Sequence, residues 1–325
     1  MVRWGILGPG RIAEKVAADF DHVADGELVA VGSRSLSNAQ AFAARHGIAR
    51  AHGSYAELLD DQQVDAVYVA TPHSWHAAHG RAVLHAGKAL LMEKAFTATL
   101  AGAESVVATA RESGTFAMEA MWMRFQPAVV HARELIADGV IGEVRAVQAD
   151  LGVAREYRPQ DRLFALELGG GATLDLGVYL VNLAHMVLGE PIGVHAVGSL
   201  LPTGVDREVA IQLEYPDGGW AQLAAAFYAM PGAARIVGTD GWIDIPPRFH
   251  HPTSLTLTRT GTAPESIPAP PAGAGYALEF DEVNRCLAAG LGESPVMGLS
   301  DTLAVQAILQ RSSDAIGVKL IEQGL

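Results

Sequence analysis

The sequence predicts an α/β domain with a doubly wound, mostly parallel sheet, followed by an α+β domain built on a large, mostly antiparallel open sheet. Three observations carry that expectation. Apolar strand-like runs alternate with helix-periodic stretches from Val2 to Glu119, the pattern of a parallel sheet covered on both faces. A Gly8-Pro9-Gly10-Arg11-Ile12-Ala13 turn joins the first of those strands to the first helix. Beyond Ile192 the chain is mostly strands, separated by the turn signals Pro216-Asp217-Gly218-Gly219 and Asp240-Gly241, which imply antiparallel pairing. A length of 325 residues exceeds one ordinary core, so two domains are expected, 1-120 and 121-325.

Composition narrows the class further. Apolar residues make up 50% of the chain, enough for a sizeable core and too many for global disorder. Acidic residues number 36 against 23 basic ones, and no local basic patch offsets the net charge of −13, so neither nucleic acid nor an anionic membrane surface is expected as a partner. The single Cys286 cannot form an intramolecular disulfide and lies in a helical pattern, where a small apolar residue would be buried. That suits a reducing cytoplasm. No run approaches the roughly 18 apolar residues of a membrane span. With a strand beginning at Val2, no cleavable leader is expected.

Val2 to Leu7 reads as a buried strand, and the apolar periodicity Ile12, Val16, Phe20 marks the helix after the glycine turn. In such a GxGxxA turn the first glycine permits the tight bend and the second lets backbone approach a pyrophosphate. The small Ala13 lets helix and strand pack closely, and the amides at the helix N-terminus face the phosphates. The second strand, Leu28 to Gly32, ends in Ser33-Arg34, where an NAD site usually carries an acidic residue on the ribose 2′-hydroxyl. A hydroxyl and a guanidinium suit the 2′-phosphate of NADP instead. Arg34 stacked on adenine would leave NAD use open.

Ala66 to Ala70 is the next buried strand, ended by Thr71-Pro72 and followed by His73, Ser74, Trp75 and His76 in a helix running to about His85. Polar groups at this strand end line the same crevice as the glycine turn. A metal site is not expected at His73, His76 and His79: no Cys or carboxylate joins them, and the spacing turns the third ring away from the first. The run Ala89-Leu90-Leu91-Met92 is a buried strand from whose carboxyl end Glu93 and Lys94 emerge, at the edge where open parallel sheets bind ligands. A helix from about Leu100 to Ser113 and a short strand, Phe116 to Glu119, complete the first domain.

In the second domain Pro127 starts a helix to about Asp138, and Ile141 to Leu151 alternates as a strand. Gly169-Gly170-Gly171 precedes an apolar helix, Ala172 to Leu188, carrying Asp175 and Tyr179 on one face. A carboxylate and a phenol in such a helix are either site groups or a helix-start acid and an amphipathic core tyrosine. Gly261 to Gly275 reads as a loop, leading into helices from about Tyr276 to Ala289 and Ser300 to Ile316.

With both domains laid out, the chain resembles the Gfo/Idh/MocA oxidoreductases, and among them the dimeric dihydrodiol dehydrogenase and D-xylose dehydrogenase branch. The likeness spans nearly the whole length. It rests on Arg3-Trp4-Gly5-Ile6, Gly53-Ser54-Tyr55, Gly87-Lys88-Ala89 with Glu93-Lys94, and Met118-Glu119-Ala120-Met121-Trp122 with Arg124-Phe125, and then on Gly170 to Tyr179 and Glu293-Ser294-Pro295-Val296. The resemblance implies a Rossmann domain in front, Lys94 as the family's catalytic lysine and Tyr179 as its acid/base. Ala95 stands where the family usually has the proline that stiffens the turn after the lysine.

The candidate catalytic residues are Lys94, Tyr179 and Asp175. The candidate cofactor-binding residues are Gly8, Gly10, Arg11, Ile12, Ser33, Arg34, Thr71, His73, His76, Glu93, Lys94, Trp122 and Arg124. The expected cofactor is NADP, with NAD possible. Trp122 and Arg124 are equally read as an aromatic face for a sugar or ring diol and as packing between domains. The expected reaction moves a hydride between the nicotinamide and a secondary or hemiacetal alcohol of a polyol, or the matching carbonyl. A free phenol, with a pKa of about 10, needs a nearby ammonium and a cationic cofactor to serve as a base, and Lys94 supplies the ammonium. Asp175 orients Lys94 or binds a second hydroxyl. The competing expectation is a non-catalytic NADP and sugar sensor of the same fold. A homodimer is expected through the second-domain sheet, because segments such as Gln222-Leu223-Ala224-Ala225-Ala226-Phe227 lack clean polar alternation.

Overall fold

The protein is described here from a computed structural model covering residues 1–324. Its chain divides into two compact units, one formed by 1–122, 272–302 and 322–325, the other by 123–271 and 303–321.

The first unit holds a six-stranded, all-parallel sheet. In chain order it runs β1 (Val2–Leu7), α1 (Arg11–Asp19), β2 (Gly26–Gly32), α2 (Leu36–His46), β3 (Arg50–His52), α3 (Tyr55–Asp60), β4 (Ala66–Val69), α4 (His76–His85), β5 (Ala89–Glu93), α5 (Leu100–Ser113) and β6 (Ala117–Ala120). The sheet order is β3-β2-β1-β4-β5-β6, so the winding reverses between β1 and β4, which opens a crevice at their carboxyl ends. Local sequence sets the helix ends. Ser54 accepts from the Glu57 amide at 3.1 Å while the Glu57 carboxylate accepts from the Gly53 amide at 2.8 Å, which explains why Gly53-Ser54-Tyr55 opens α3. Thr99 caps α5 through the Gly102 amide at 3.0 Å, and Gly114 closes it with φ +63.

The second unit contains α6 (Pro127–Ala137), β7 (Val144–Gly152), α7 (Val178–Leu188) and seven further strands: β8 (Gly193–Leu200), β9 (Asp206–Glu214), β10 (Trp220–Ala226), β11 (Ala234–Gly238), β12 (Gly241–Ile245), β13 (Ser254–Arg259) and β14 (Glu265–Pro268). Their order is β14-β13-β12-β11-β7-β10-β9-β8, antiparallel except for the β7–β10 pair. α8 (Ala277–Ala288) and α9 (Leu299–Ile316) follow.

Four expectations need correction. The stretch Gly261 to Gly275 is not all loop, since β14 pairs with β13 there. The apolar helix does not start as regular α-helix: Thr173–Gly177 form a π-type turn ahead of α7. Leu166–Leu188 is long and apolar enough to cross a membrane, contrary to the reading of the sequence, yet 83% of that window is buried inside the protein, as in a core helix. A single cut after residue 120 also misses the segment 272–302, which packs with the first unit. Phe280 of α8 lies against Trp4 at 4.7 Å and Phe20 at 5.2 Å between ring centroids, and the Trp4 indole donates to Asn284 at 3.1 Å. That aromatic face of the parallel sheet needed a cover, and the chain returns to supply it. Cys286 of α8 is fully buried, as its context implied.

The strands of the second sheet also alternate more cleanly than the sequence argument supposed. Along β10 Gln222 is exposed and Leu223 buried; along β9 Ala210 and Gln212 are exposed and Ile211 is buried. The outward face carries Ala210, Gln212, Gln222, Ala224 and an exposed Val197, with the half-buried Trp220 and Trp242 on the same face.

Candidate active site

Gly8 has φ +97, and a Cβ there would stand 3.1 Å from Thr71 and 3.2 Å from the Ala70 carbonyl, so only glycine fits the bend after β1. Gly10 is different. Its backbone is extended, and a Cβ would meet only the Ala70 carbonyl at 3.8 Å. The space above it is open for a ligand to reach the backbone at the start of α1.

A groove of about 340 Å³ runs over this turn, lined by Gly8, Gly10, Ser33, Arg34, Asn38, Arg45, Tyr55, Thr71 and their neighbours. The residues fit a dinucleotide: a glycine turn and helix N-terminus for a pyrophosphate, and Ser33 with the exposed Arg34 after β2 for the ribose end. Asn38 and Arg45 were not singled out from the sequence, and Tyr55 only within the motif Gly53-Ser54-Tyr55. They reach the groove from α2 and α3, whose placement beside β2 only the fold specifies. His79 donates to or accepts from Thr71 Oγ1 at 3.0 Å, and its ring stacks on Trp75 at 5.8 Å. Burial, with the charges of His76 and Arg34 adding to it, pushes the His79 imidazole down to about 4, so it is neutral at ordinary pH.

Lys94 follows β5, beside β4 in the sheet, so the glycine turn, Thr71 and Lys94 stand at the carboxyl ends of three adjacent strands. The chain passes through a cis Lys94–Ala95 peptide. The Lys94 amide donates to Glu93 Oε2 at 3.1 Å, and His73 Nε2 lies 3.1 Å from the Lys94 carbonyl. His76 is fully buried, with Nδ1 2.9 Å from the Ala95 carbonyl and Nε2 2.8 Å from the Thr71 carbonyl. Both histidines expected at a cofactor thus engage the backbone around Lys94. Arg11 and Ile12 lie in the first turn of α1, and neither lines the groove. Glu93 also accepts from the buried Tyr68 hydroxyl. Trp122 is buried, and its ring stacks on Tyr276 at 4.3 Å with an interplanar angle of 11°.

The remaining candidates belong to the second unit. Asp175 sits in the π-type turn one helical turn before Tyr179, and Arg162 Nη2 approaches its Oδ1 at 3.3 Å. Tyr179 is buried, its ring 4.9 Å from that of His250, which in turn is 4.6 Å from His251. His250 lies between β12 and β13, far from Tyr179 in sequence; the adjacent histidines before Pro252 were its only signal. Arg124 is buried with Nε donating to Asn182 at 2.7 Å, so in its own unit it braces α7.

Residues 2–121 match the oxidoreductase family with an NAD-binding Rossmann fold, and residues 129–244 match the GFO/IDH/MocA C-terminal domain. The chain is 36% identical to a trans-1,2-dihydrobenzene-1,2-diol dehydrogenase of Danio rerio, covering 98% of this chain and 97% of that protein. The Homo sapiens protein of the same name is also 36% identical over 98% of this chain and 97% of its own. Among solved structures, an aldose-aldose oxidoreductase from Caulobacter crescentus superposes with a TM-score of 0.88 at 27% identity, covering 97% of each chain. A 3-ketoreductase from Actinomadura kijaniata, in complex with NADP, does so with a TM-score of 0.83 at 27% identity, covering 99% of this chain and 98% of that one.

Proposed function

We propose that this chain, which belongs to the Gfo/Idh/MocA oxidoreductase family, is an NADP(H)-dependent dehydrogenase acting on a secondary or hemiacetal alcohol of a cyclic diol or sugar. It is an NAD(P)-binding oxidoreductase of the sugar and diol dehydrogenase type, with a small-molecule substrate. The observation that carries the finer reading is the row of strand ends: a glycine turn, Ser33-Arg34 and Lys94 around one crevice, with no acidic residue at the end of β2.

A nicotinamide dinucleotide bound in the groove supplies the hydride acceptor or donor. Gly8, Gly10 and the first amides of α1 would hold its pyrophosphate, and Ser33 with Arg34 its 2′-phosphate. In the oxidative direction Tyr179 takes the hydroxyl proton. The Lys94 ammonium stabilises negative charge on the substrate oxygen. In reduction the proton returns to the carbonyl oxygen. Asp175 binds a further substrate hydroxyl.

Purified protein incubated with NADP or NAD and a panel of trans-diols and aldoses, followed by absorbance of the reduced cofactor, tests the reading. Turnover that prefers NADP and disappears in Lys94→Ala and Tyr179→Phe is expected. Cofactor binding without turnover on any diol, sugar or dicarbonyl would sink it.

We also propose that two copies pair through the outward face of the second sheet, where a groove of about 700 Å³ is lined by Val197, Ala210, Gln212, Gln222 and Ala224. Small and amide side chains give a flat face suited to sheet-on-sheet packing.

A further inference from the structure

Side chains hold the loop after β5, where Ala95 follows Lys94. His76 is the informative one. Its Nδ1 is 2.9 Å from the Ala95 carbonyl oxygen and 3.3 Å from that of Phe96, and its Nε2 is 2.8 Å from the Thr71 carbonyl oxygen. Carbonyl oxygens only accept, so hydrogen bonds at both nitrogens require both to carry hydrogen. A neutral imidazole has one such hydrogen. The ring is fully buried, where a cation is costly unless other groups compensate it.

Compensation comes through a single peptide group. The Ala95 carbonyl faces His76, while the amide of the same peptide, on Phe96, donates to Glu119 Oε1 at 3.0 Å. Glu119 is 1% exposed. A cation on the oxygen side and a carboxyl on the hydrogen side both align with that peptide's dipole, so each strengthens the other's hold. His73 on the Lys94 carbonyl and Glu93 on the Lys94 amide fix the residue before it. The Thr71 carbonyl ties the clamp to the strand end that lines the nucleotide groove.

We propose that His76, as a buried imidazolium, and Glu119 are positioning residues that clamp the Ala95–Phe96 peptide and thereby aim Lys94 from the cofactor-binding strand end. The proposal rests on the reading of Lys94 as a catalytic residue. Neither side chain takes part in proton transfer; the pair orders the backbone from which Lys94 projects.

Two measurements test it. Long-range proton–nitrogen NMR of histidine-labelled wild-type protein at pH 8 is expected to show one imidazole with both nitrogens protonated, a signal lost in His76→Asn. A His76 ring with one bare nitrogen would overturn the charge assignment. In kinetics, His76→Asn and Glu119→Gln are expected to lower kcat about 10- to 100-fold, as ångström-scale misplacement of a catalytic group does, with the Kd for NADP, from fluorescence titration, changed less than about 3-fold. Wild-type kcat in His76→Asn alongside an inactive Lys94→Ala would overturn the positioning role alone. Full turnover in Lys94→Ala would overturn the functional reading and the aiming role with it, while the NMR signal still decides the charge on the ring.

Discussion

The Tyr68 hydroxyl donates to Glu93 Oε1 across 2.5 Å inside the first unit, with the tyrosine fully buried on the strand next to β5. Burial, and the carboxyl groups of Glu93 and Glu279 near it, push the Tyr68 phenol well above its ordinary value, so it remains a donor. Tyr68→Phe keeps the ring and removes that donor. A loss of about 1–3 kcal/mol in denaturant unfolding is expected, the contribution of a buried hydrogen bond to a carboxyl group. An unchanged midpoint would show that the pair contributes nothing to stability.

Arg34 offers a second test. If it selects the 2′-phosphate, Arg34→Ala removes a charge-assisted contact of about 1.5–3 kcal/mol and raises KM for NADP by roughly 10- to 100-fold, with KM for NAD nearly constant. Equal losses for both cofactors would mean that the guanidinium stacks on adenine.

Glu322 connects stability to pH. Its Oε2 accepts from the Ala98 and Thr99 amides at 3.0 Å each, at the start of α5, yet burial outweighs these donors and pushes the carboxyl up to about 7. Above about 4.5 the unfolded carboxyl releases its proton while the folded one keeps it. The stability of the folded state therefore falls as pH rises from about 4.5 to about 7. Thermal melts across that window should show the wild type losing Tm relative to Glu322→Gln. Parallel curves would remove Glu322 from the account.

Phe280 tests the return of the chain to the first unit. At 1% exposure against Trp4, Phe20 and Tyr68, its truncation to alanine is expected to cost about 3–5 kcal/mol. A fragment ending at residue 120 lacks this cover and is expected to expose the aromatic face and aggregate. A monomeric, cooperatively melting fragment would show that the first sheet stands without α8.

For the pairing of two chains, light scattering at micromolar concentration should give twice the chain mass of 34.1 kDa. Val197→Arg, on the exposed strand β8, should reduce it to one. One chain mass in the unmutated protein, constant with concentration, would end that proposal.

The sequence by itself determined what depends on neighbours in the chain. The glycine turn, the buried strand runs and the hairpin at Pro216-Asp217-Gly218-Gly219 are local chemistry, and each is where the pattern put it. Lys94 at a strand end and Asp175 with Tyr179 on consecutive turns were legible for the same reason. What only the tertiary structure decided is long-range pairing. Phe280 against Trp4, Glu322 on the amides before α5, His250 beside Tyr179 and Asn38 beside the Gly8 turn join residues whose spacing carries no period. The role of His76 is of this kind as well. From sequence it was a polar ring near a cofactor, and only the positions of three carbonyl oxygens from two separate segments show both of its nitrogens as donors, because hydrogen-bond demand is set by what the folded backbone leaves beside a buried group.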